Sequence, residues 1–351
     1  MRCLLHVGTE KTGSSYLQCK LALARSQLLA QKICFTQGAP FDELCMSTGR
    51  ISGGNALRLA DDIDKENWVM VSRRLDAARQ EAASRQAEVV LISSELLLAP
   101  LAQHHRLSRF MVALEEAGFS TVEFLLVLRD PVDQLISLYK HRAKSGTAGD
   151  IVEWCASGYQ VPDELAGFRR QVDSSGAKLV VRRYSREPGG LDQIFFRDWL
   201  QIPVPELEMP DSVNHSLAFS ELALIRQLAV SRGDLVPHLY NALAAVPKSA
   251  KPRNAGVEAH AKAVAVETVS QYADEWALWN ARLPEHEQII TPESLTAVPP
   301  RPDEFGFGEE QLRAVSRLLA TSTTFSFVVR QFWRSRLRPI LGRIRRLVAK
   351  P

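Results

Sequence analysis

Cysteine is scarce in this chain of 351 residues, and the cysteines present form no recognised pattern. There are five, an odd number, and no two of them are spaced as a CxxC pair. They are Cys3, Cys19, Cys34, Cys45 and Cys155. A scattered, odd set favours reduced thiols in a cytosolic setting over a disulfide framework. We therefore expect neither disulfides nor a bound metal.

Long apolar runs are also lacking. The run after Met1 is interrupted by Gly8, Glu10 and Lys11, so it is too short for a signal-peptide core or a membrane span. Hydrophobic residues nevertheless make up 46% of the chain, which suits a globular protein with a sizeable core. We expect a cytoplasmic protein with one large α/β domain or two small ones.

Acidic residues are missing from the end of the chain. No Asp or Glu follows Glu310, whereas ten Lys and Arg do, and the preceding residues carry 33 basic and 40 acidic side chains. An apolar stripe runs among these arginines and predicts a basic helix. The stripe consists of Leu337, Ile340, Leu341, Ile344, Leu347 and Val348. This helix could pack on the domain or fray in solvent, lie on an anionic membrane surface, or attract a polyanionic acceptor. Few aromatic residues are interleaved with the arginines, which argues against nucleic-acid binding.

What the chain does have is a glycine-punctuated loop near its beginning, within HVGTEKTGSSYLQ (residues 6–18). A short apolar run ends at Gly8, Gly13 follows five residues later, and a helix-competent segment comes next. Strand, loop and helix N-terminus form a cradle for an anion, because loop N–H groups and the helix dipole both attract negative charge. A Walker A motif requires lysine directly after the second glycine, but Ser14 holds that place and the lysine is Lys11. The sequence therefore predicts a phosphate-like ligand at a site unlike an ordinary ATP site.

Strands alternate with helices along the first 200 residues. The predicted strands are 2–7, 88–92, 121–128 and 177–181, and the predicted helices are 13–31, 65–86, 107–117, a helix opening at Pro131, and 164–173. This order predicts a parallel sheet flanked by helices, with ligands outside the carboxyl ends of the strands. Gly8, Glu95 and Arg129 all follow strand ends, so we expect them at one edge of the sheet. Residues 201–301 show helical patterns at 217–232 and 257–282 and no strand pattern.

Two segments together resemble a known family. The order Lys11-Thr12-Gly13-Ser14-Ser15 resembles the 5′-phosphosulfate loop of sulfotransferases that use 3′-phosphoadenosine 5′-phosphosulfate (PAPS). The segment LLVLRDPVDQLISLYKH (residues 125–141) looks like the same family's 3′-phosphate motif, a strand ending in Arg129 and a helix carrying Ser137. A third segment, LISSELL around Glu95, is similar to an acidic strand end in the carbohydrate branch.

The resemblance implies a bacterial, carbohydrate-type enzyme that moves a sulfuryl group from PAPS to a hydroxyl acceptor, without a metal. It implies Lys11 as electrostatic catalyst and Glu95 as general base. The cofactor-binding residues would be Gly8, Thr9, Lys11, Thr12, Gly13, Ser14, Ser15, Arg129, Ser137, Asn214 and Ser216. The family's Arg-Lys-Gly nucleotide loop has no match in the C-terminal part of this chain. The acceptor would be a carbohydrate or glycoconjugate.

The expected organisation has three parts. Residues 1–200 would form a P-loop-type PAPS-binding α/β core, and residues 201–301 a helical acceptor-side lobe of the same domain. Residues 302–351 would form C-terminal helices with the basic tail, which could touch the inner face of the membrane peripherally.

Each candidate residue also has a structural interpretation. The loop could be a glycine-rich turn with a surface lysine, Arg129 could pair with Asp130, and Glu95 could cap a helix. His104 and His105 are rival bases, and His141 could line the acceptor cleft. Ser216 could be a plain helix N-cap, with Phe219 where a capping box needs Glu or Gln.

The alternative functions are a P-loop kinase of small molecules, with ATP and Mg²⁺, and a non-catalytic, membrane-recruited module with a vestigial nucleotide fold.

Overall fold

A computed structural model describes residues 1–210, 217–251, 254–295, 297–299 and 306–318. Its centre is a sheet of five parallel strands in the order β2-β3-β1-β4-β5. The strands are β1 (Arg2–His6), β2 (Ile33–Phe35), β3 (Val89–Ser93), β4 (Thr121–Leu128) and β5 (Lys178–Arg183). The chain is therefore an α/β protein with a parallel sheet flanked by helices, as the alternating pattern predicts.

Helices occupy most of the remaining described chain. They are α1 (Ser14–Leu23), α2 (Arg25–Ala30), α3 (Pro40–Ser47), α4 (Leu57–Asp64), α5 (Trp68–Ser84), α6 (Leu98–Ala102), α7 (Arg106–Glu116), α8 (Pro131–Ala143), α9 (Ile151–Ser157), α10 (Val161–Ser175), α11 (Gly190–Asp192), α12 (Phe219–Arg232), α13 (Val236–Ala244), α14 (Ala255–Ser270) and α15 (Ala273–Asn280). Residues 309–318 are also helical. A π-helical segment, Gln193–Trp199, follows α11, and short 3₁₀ turns cover Gly54–Ala56, Glu95–Leu97, Gly233–Leu235, Lys248–Ala250 and Glu285–Glu287. No helix in these described ranges is long and apolar enough to cross a membrane.

The sheet is buried on both faces, as all-parallel sheets are. On one face, Leu4 and Leu125 join a core cluster with Leu17 of α1 and Phe195 of the π-helical segment. Neighbouring residues along a strand point to the other face. There the ring of Phe124 meets Phe168 of α10 edge-on, at 6.1 Å between centroids. Helices thus cover both faces of the sheet.

The central strand β1 places its following loop at the carboxyl edge of the sheet. His6, its last residue, lies beside Ser93 of β3 and Leu125 of β4. The ladder continues one step further, because Val7 N donates to Leu125 O at 2.9 Å and Ser94 N donates to His6 O at 3.1 Å. The chain from Gly8 onward therefore emerges between the ends of β3 and β4.

Several element boundaries differ from the sequence predictions. The helix predicted at 13–31 is interrupted at Ala24, whose ψ is 6°, and so becomes α1 and α2. The helix predicted from 65 begins at Trp68, because the Asn67 side chain caps it by accepting from Met70 N. The helix predicted at 257–282 is two helices, α14 and α15, separated at Tyr272. Strand β2 has no counterpart in the prediction, since three residues are too short for a periodic pattern.

The start of α12 is another correction. The helix begins at Phe219 with Ala218 as its N-cap residue, so Glu221 occupies the third helical position. The Glu221 carboxylate accepts from Ala218 N at 2.7 Å, which is the half of a capping box that a carboxylate supplies. Counting from Ser216 had placed Phe219 at that position. Ser216 itself lies outside the described residues.

The described chain divides into two compact units. The first comprises residues 1–139, 151–210, 260–295 and 297–299, and the second comprises 140–150, 217–251, 254–259 and 306–318. In the second unit the buried Glu221 carboxylate accepts from Lys251 Nζ at 3.0 Å and from Gln311 Nε2 at 2.7 Å. The part of 201–301 that the structure describes contains helices and no strand, while the basic tail from residue 319 lies outside the described chain.

Candidate functional site

The loop between β1 and α1 (residues 8–13, the β1–α1 loop) has a fixed shape. Thr12 Oγ1 donates to Thr9 O at 2.7 Å within the loop. Two long side chains hold it from outside: Arg129 Nη1 donates to Lys11 O at 2.9 Å, and Gln134 Nε2 donates to Glu10 O at 3.1 Å. The Lys11 backbone is left-handed, with φ of 72°, which is rare for a residue with a side chain.

Gly13 ends the loop and serves as the N-cap residue of α1. Its φ is +85°, and a Cβ there would lie 2.7 Å from Leu191 Cδ2, so glycine alone fits without a shift. The first turn of α1 contains no acidic residue, and its first helical residues are Ser14 and Ser15. First-turn N–H groups have no partner within the helix, so this end can accept an anion. The structure thus has the predicted order of strand, glycine-punctuated loop and helix.

Arg129 connects the β1–α1 loop to a cavity. It follows β4 and lies over the ring of Tyr184 at 5.6 Å, and its Nε atom is buried with no hydrogen-bond partner among the described residues. Burial lowers the pKa of Arg129, and the nearby charge of Arg186 adds to this. A cavity of about 590 Å³ (the Arg129 cavity) is lined by charged residues of both signs, which are Arg129, Arg183, Arg186, Asp130, Asp133, Glu187 and Glu287, and by Tyr184, Gly190 and Ile194 among others. A cavity of this size accommodates a nucleotide.

Helix α8 carries the other predicted residues of this motif. It begins at Pro131, as predicted, and Asp130 Oδ1 accepts from Asp133 N at 3.0 Å in its first turn. Asp130 therefore has a capping role at the helix start. Ser137 lies two turns along the helix and is half-buried. His141 lies in the last turn and belongs to the second compact unit, whereas the β1–α1 loop and Arg129 belong to the first.

Glu95 lies immediately beyond the end of β3 and begins a 3₁₀ turn, Glu95–Leu97. The turn is capped by Ser94, whose Oγ accepts from Leu96 N at 3.2 Å, so Glu95 is not the cap. Its carboxylate accepts from Gln18 Nε2 at 2.9 Å. Burial raises the pKa of Glu95, while its own backbone N–H, the Gln18 amide and the Ser14 hydroxyl act in the opposite direction. A carboxyl group with a raised pKa beside the first turn of α1 is suited to proton transfer.

The rival bases are placed differently. His104 and His105 are both exposed, and His105 is the N-cap residue of α7. His104 lines a separate polar cavity with Asp64 and Gln160. Within the described ranges, no group of three His, Cys, Asp or Glu is arranged to hold a metal ion.

The structure adds residues that the sequence analysis missed. Gln18 lies four residues after the predicted Ser14 on α1, so helical periodicity places Gln18 on the same face, and this signal was available. Tyr184 and Arg186 follow β5 directly, at the same sheet edge as the other candidates. His6 lies beneath Gly8, with Nδ1 at 2.9 Å from Ser93 Oγ. Asn214 and Ser216 lie outside the described residues.

A scan of the chain against models of known protein families gives no match, and a search of the curated proteins gives none either.

Proposed function

We propose that this protein is a PAPS-dependent sulfotransferase that transfers a sulfuryl group to a hydroxyl of a carbohydrate or glycoconjugate. The observation that carries the proposal is the double role of Arg129. One guanidinium nitrogen holds the β1–α1 loop at Lys11 O, and the same side chain lines the Arg129 cavity with an unpartnered Nε. One arginine side chain thus contacts both the β1–α1 loop and a cavity large enough for a nucleotide.

The residues present fit a ligand with phosphate groups at two positions. The β1–α1 loop and the first turn of α1 would hold the 5′-phosphosulfate through N–H groups and the hydroxyls of Ser14 and Ser15. Arg129 would bind the 3′-phosphate through paired N–H donors, and Ser137 would add a hydroxyl. The orphaned Nε of Arg129 is a buried donor that such a ligand would satisfy.

PAPS supplies the sulfuryl group, and the chain supplies charge and a base. Lys11 would stabilise the negative charge that develops on the departing phosphate oxygen. The oxygen of the acceptor hydroxyl would bond to sulfur, and Glu95 would accept the proton that this hydroxyl loses. The bond from sulfur to the phosphate oxygen would break, and PAP would depart with its electron pair. Because burial raises the pKa of Glu95, its carboxylate is a stronger proton acceptor than that of an exposed glutamate.

The rival enzyme is a P-loop kinase of small molecules. It requires ATP, Mg²⁺ and a lysine at the start of the helix, but Ser14 occupies that position and Lys11 lies within the loop. The rival of another class is a non-catalytic module recruited to membranes by the basic tail. We propose a cytoplasmic enzyme, and its basic tail is a candidate for peripheral contact with the inner membrane face.

Calorimetric titration with PAP and, separately, with ATP and Mg²⁺ tests the proposal. We expect PAP to bind in the micromolar range and ATP to bind much more weakly. ATP binding without PAP binding would support the kinase, and no binding of either would support the module. Arg129→Ala should weaken PAP binding. Arg58→Ala is its matched control, because Arg58 is exposed and lines a different cavity.

A further inference from the structure

Gln18 is a buried amide that joins the candidate base to the helix of the β1–α1 loop. Its side chain is fully buried and bonded at both ends: Nε2 donates to Glu95 Oε2 at 2.9 Å, and Oε1 accepts from Ser52 Oγ at 2.7 Å. A buried amide with both ends satisfied is held in one orientation. We propose that Gln18 is a positioning residue that fixes the Glu95 carboxylate relative to the β1–α1 loop.

The hydrogen bonds form a chain with one direction. Gly54 N donates to Ser52 Oγ at 3.3 Å, so the Ser52 hydroxyl accepts there and gives its own hydrogen to Gln18 Oε1. The Gln18 oxygen is thereby held on the Ser52 side, and its N–H group is directed at Glu95. Because an ionised carboxylate only accepts hydrogen bonds, the chain ends on the charged form of the base.

The start of this chain is attached to the same strand end that carries Glu95. Ser94 Oγ donates to Gly53 O at 2.6 Å, and Ser93 N donates to Asn55 Oδ1 at 2.8 Å. Gly54 has φ of +74°, and a Cβ there would lie 2.0 Å from Ser93 O, so no other residue fits. The turn at residues 52–55 and the end of β3 therefore form one rigid piece.

Gln18 belongs to a different piece, the helix α1. It lies one turn after Ser14, on the same face, and α1 starts where the β1–α1 loop ends. Its amide thus bridges the end of β3 and the helix of the loop. This inference rests on the proposed function, because the position of Glu95 matters for turnover only if Glu95 accepts the acceptor's proton.

Titration of Glu95 tests the proposal without any turnover. The protein is labelled with ¹³C at glutamate carboxyl carbons, and Glu95→Gln assigns the resonance. Burial is the main cause that raises the pKa of Glu95 and the charge of Glu10 adds to it, while the Glu95 backbone N–H, Gln18 and Ser14 lower it. Gln18→Met removes the donor at similar length, so we expect the Glu95 pKa to rise by about one unit. Ser52→Ala should raise the pKa less, because the amide stays but loses its anchor.

Trp199→Phe is the matched structural control. It removes another buried hydrogen bond, from Trp199 Nε1 to Glu123 Oε1 at 2.8 Å, and leaves the Gln18 chain untouched. We expect lower stability and an unchanged Glu95 pKa in this variant. An unchanged Glu95 pKa in both Gln18→Met and Ser52→Ala would overturn the proposal, and Ser52→Ala decides alone if Gln18→Met does not fold.

Transfer kinetics separate this proposal from the proposed function. With PAPS and an acceptor, the acid limb of kcat/KM should move upward in Gln18→Met together with the Glu95 pKa, and kcat should fall more than KM changes. A wild-type protein that neither binds PAP nor transfers sulfuryl groups would refute the proposed function. The ¹³C titration would still decide whether Gln18 holds Glu95.

Discussion

Replacement of Arg129 by alanine separates the two roles that the structure gives this side chain. The bond from Arg129 Nη1 to Lys11 O supports the β1–α1 loop and serves any ligand that binds there. The contact with a 3′-phosphate would serve only a ligand that carries one. PAP and 5′-AMP differ only in that phosphate. Their affinities for the wild type and for Arg129→Ala therefore form a thermodynamic cycle that measures the coupling between Arg129 and the 3′-phosphate.

The magnitudes follow from the surroundings of Arg129. Loss of a hydrogen bond from a charged donor to the loop carbonyl weakens binding of both ligands by about 1.5–3 kcal/mol at most. A partly desolvated arginine–phosphate pair is worth about 2–3 kcal/mol more, which is roughly 30- to 150-fold in affinity. We therefore expect wild type to prefer PAP over 5′-AMP by at least this factor, and Arg129→Ala to lose most of that preference.

Calorimetry on the four combinations measures the coupling directly. Arg129→Lys should recover little of the preference, because an ammonium lacks the paired donors of guanidinium. Arg58→Ala should leave both affinities unchanged. Equal weakening of PAP and 5′-AMP in Arg129→Ala would refute 3′-phosphate binding and leave Arg129 as a support of the loop alone.

Three further predictions concern the residues around the loop. Lys11→Gly should lower sulfuryl transfer by on the order of 100-fold or more, yet leave thermal stability equal or higher, since glycine suits the left-handed backbone; wild-type transfer rates would contradict the role of Lys11. Glu95→Gln should lower turnover by on the order of 100-fold. It should also raise the urea-unfolding free energy at pH 7.5, because it removes a buried charge. Below about pH 4 this gain should vanish, because Glu95 is protonated in both the folded and the unfolded state. An equal gain at both pH values would contradict the burial explanation. Burial lowers the pKa of His6 to about 4, so the unfolded state takes up the proton first and stability should fall by about 3 kcal/mol between pH 6.5 and 4. His6→Gln should remove that part of the acid dependence, and an identical pH profile in the variant would refute this account.

The parts of the fold that could be predicted from sequence are those with strong local signals. Strand β4 matches its predicted bounds because its sequence, TVEFLLVL, ends in a continuous apolar run that Arg129, Asp130 and Pro131 close. The helix after it begins at Pro131 because proline suits the first helical position. Strand β2 was missed, since Ile33–Phe35 offers no period and is defined by its pairing with β3.

The candidate site could be predicted only where each residue follows a strand end. Parallel strands bring Gly8, Glu95 and Arg129 to one edge, so topology alone placed them. The hydrogen-bond partners of Gln18 could not be foreseen, because Ser52 and Glu95 lie 34 and 77 residues away from it in sequence and meet it only through packing. The start of α12 was misplaced by two residues because Ala218 carries no capping side chain, and the Glu221 carboxylate supplies the bond instead.

The left-handed backbone of Lys11 has a consequence for how a ligand would associate. A conformation of this kind costs a residue with a side chain about 1–2 kcal/mol, and bonds from Arg129 and Gln134 to the loop carbonyls maintain it. These residues are therefore ordered when the protein folds, and their loss of conformational entropy is not a cost of ligand binding. An arriving anion meets a pre-organised loop, so its affinity is not reduced by the work of shaping the site.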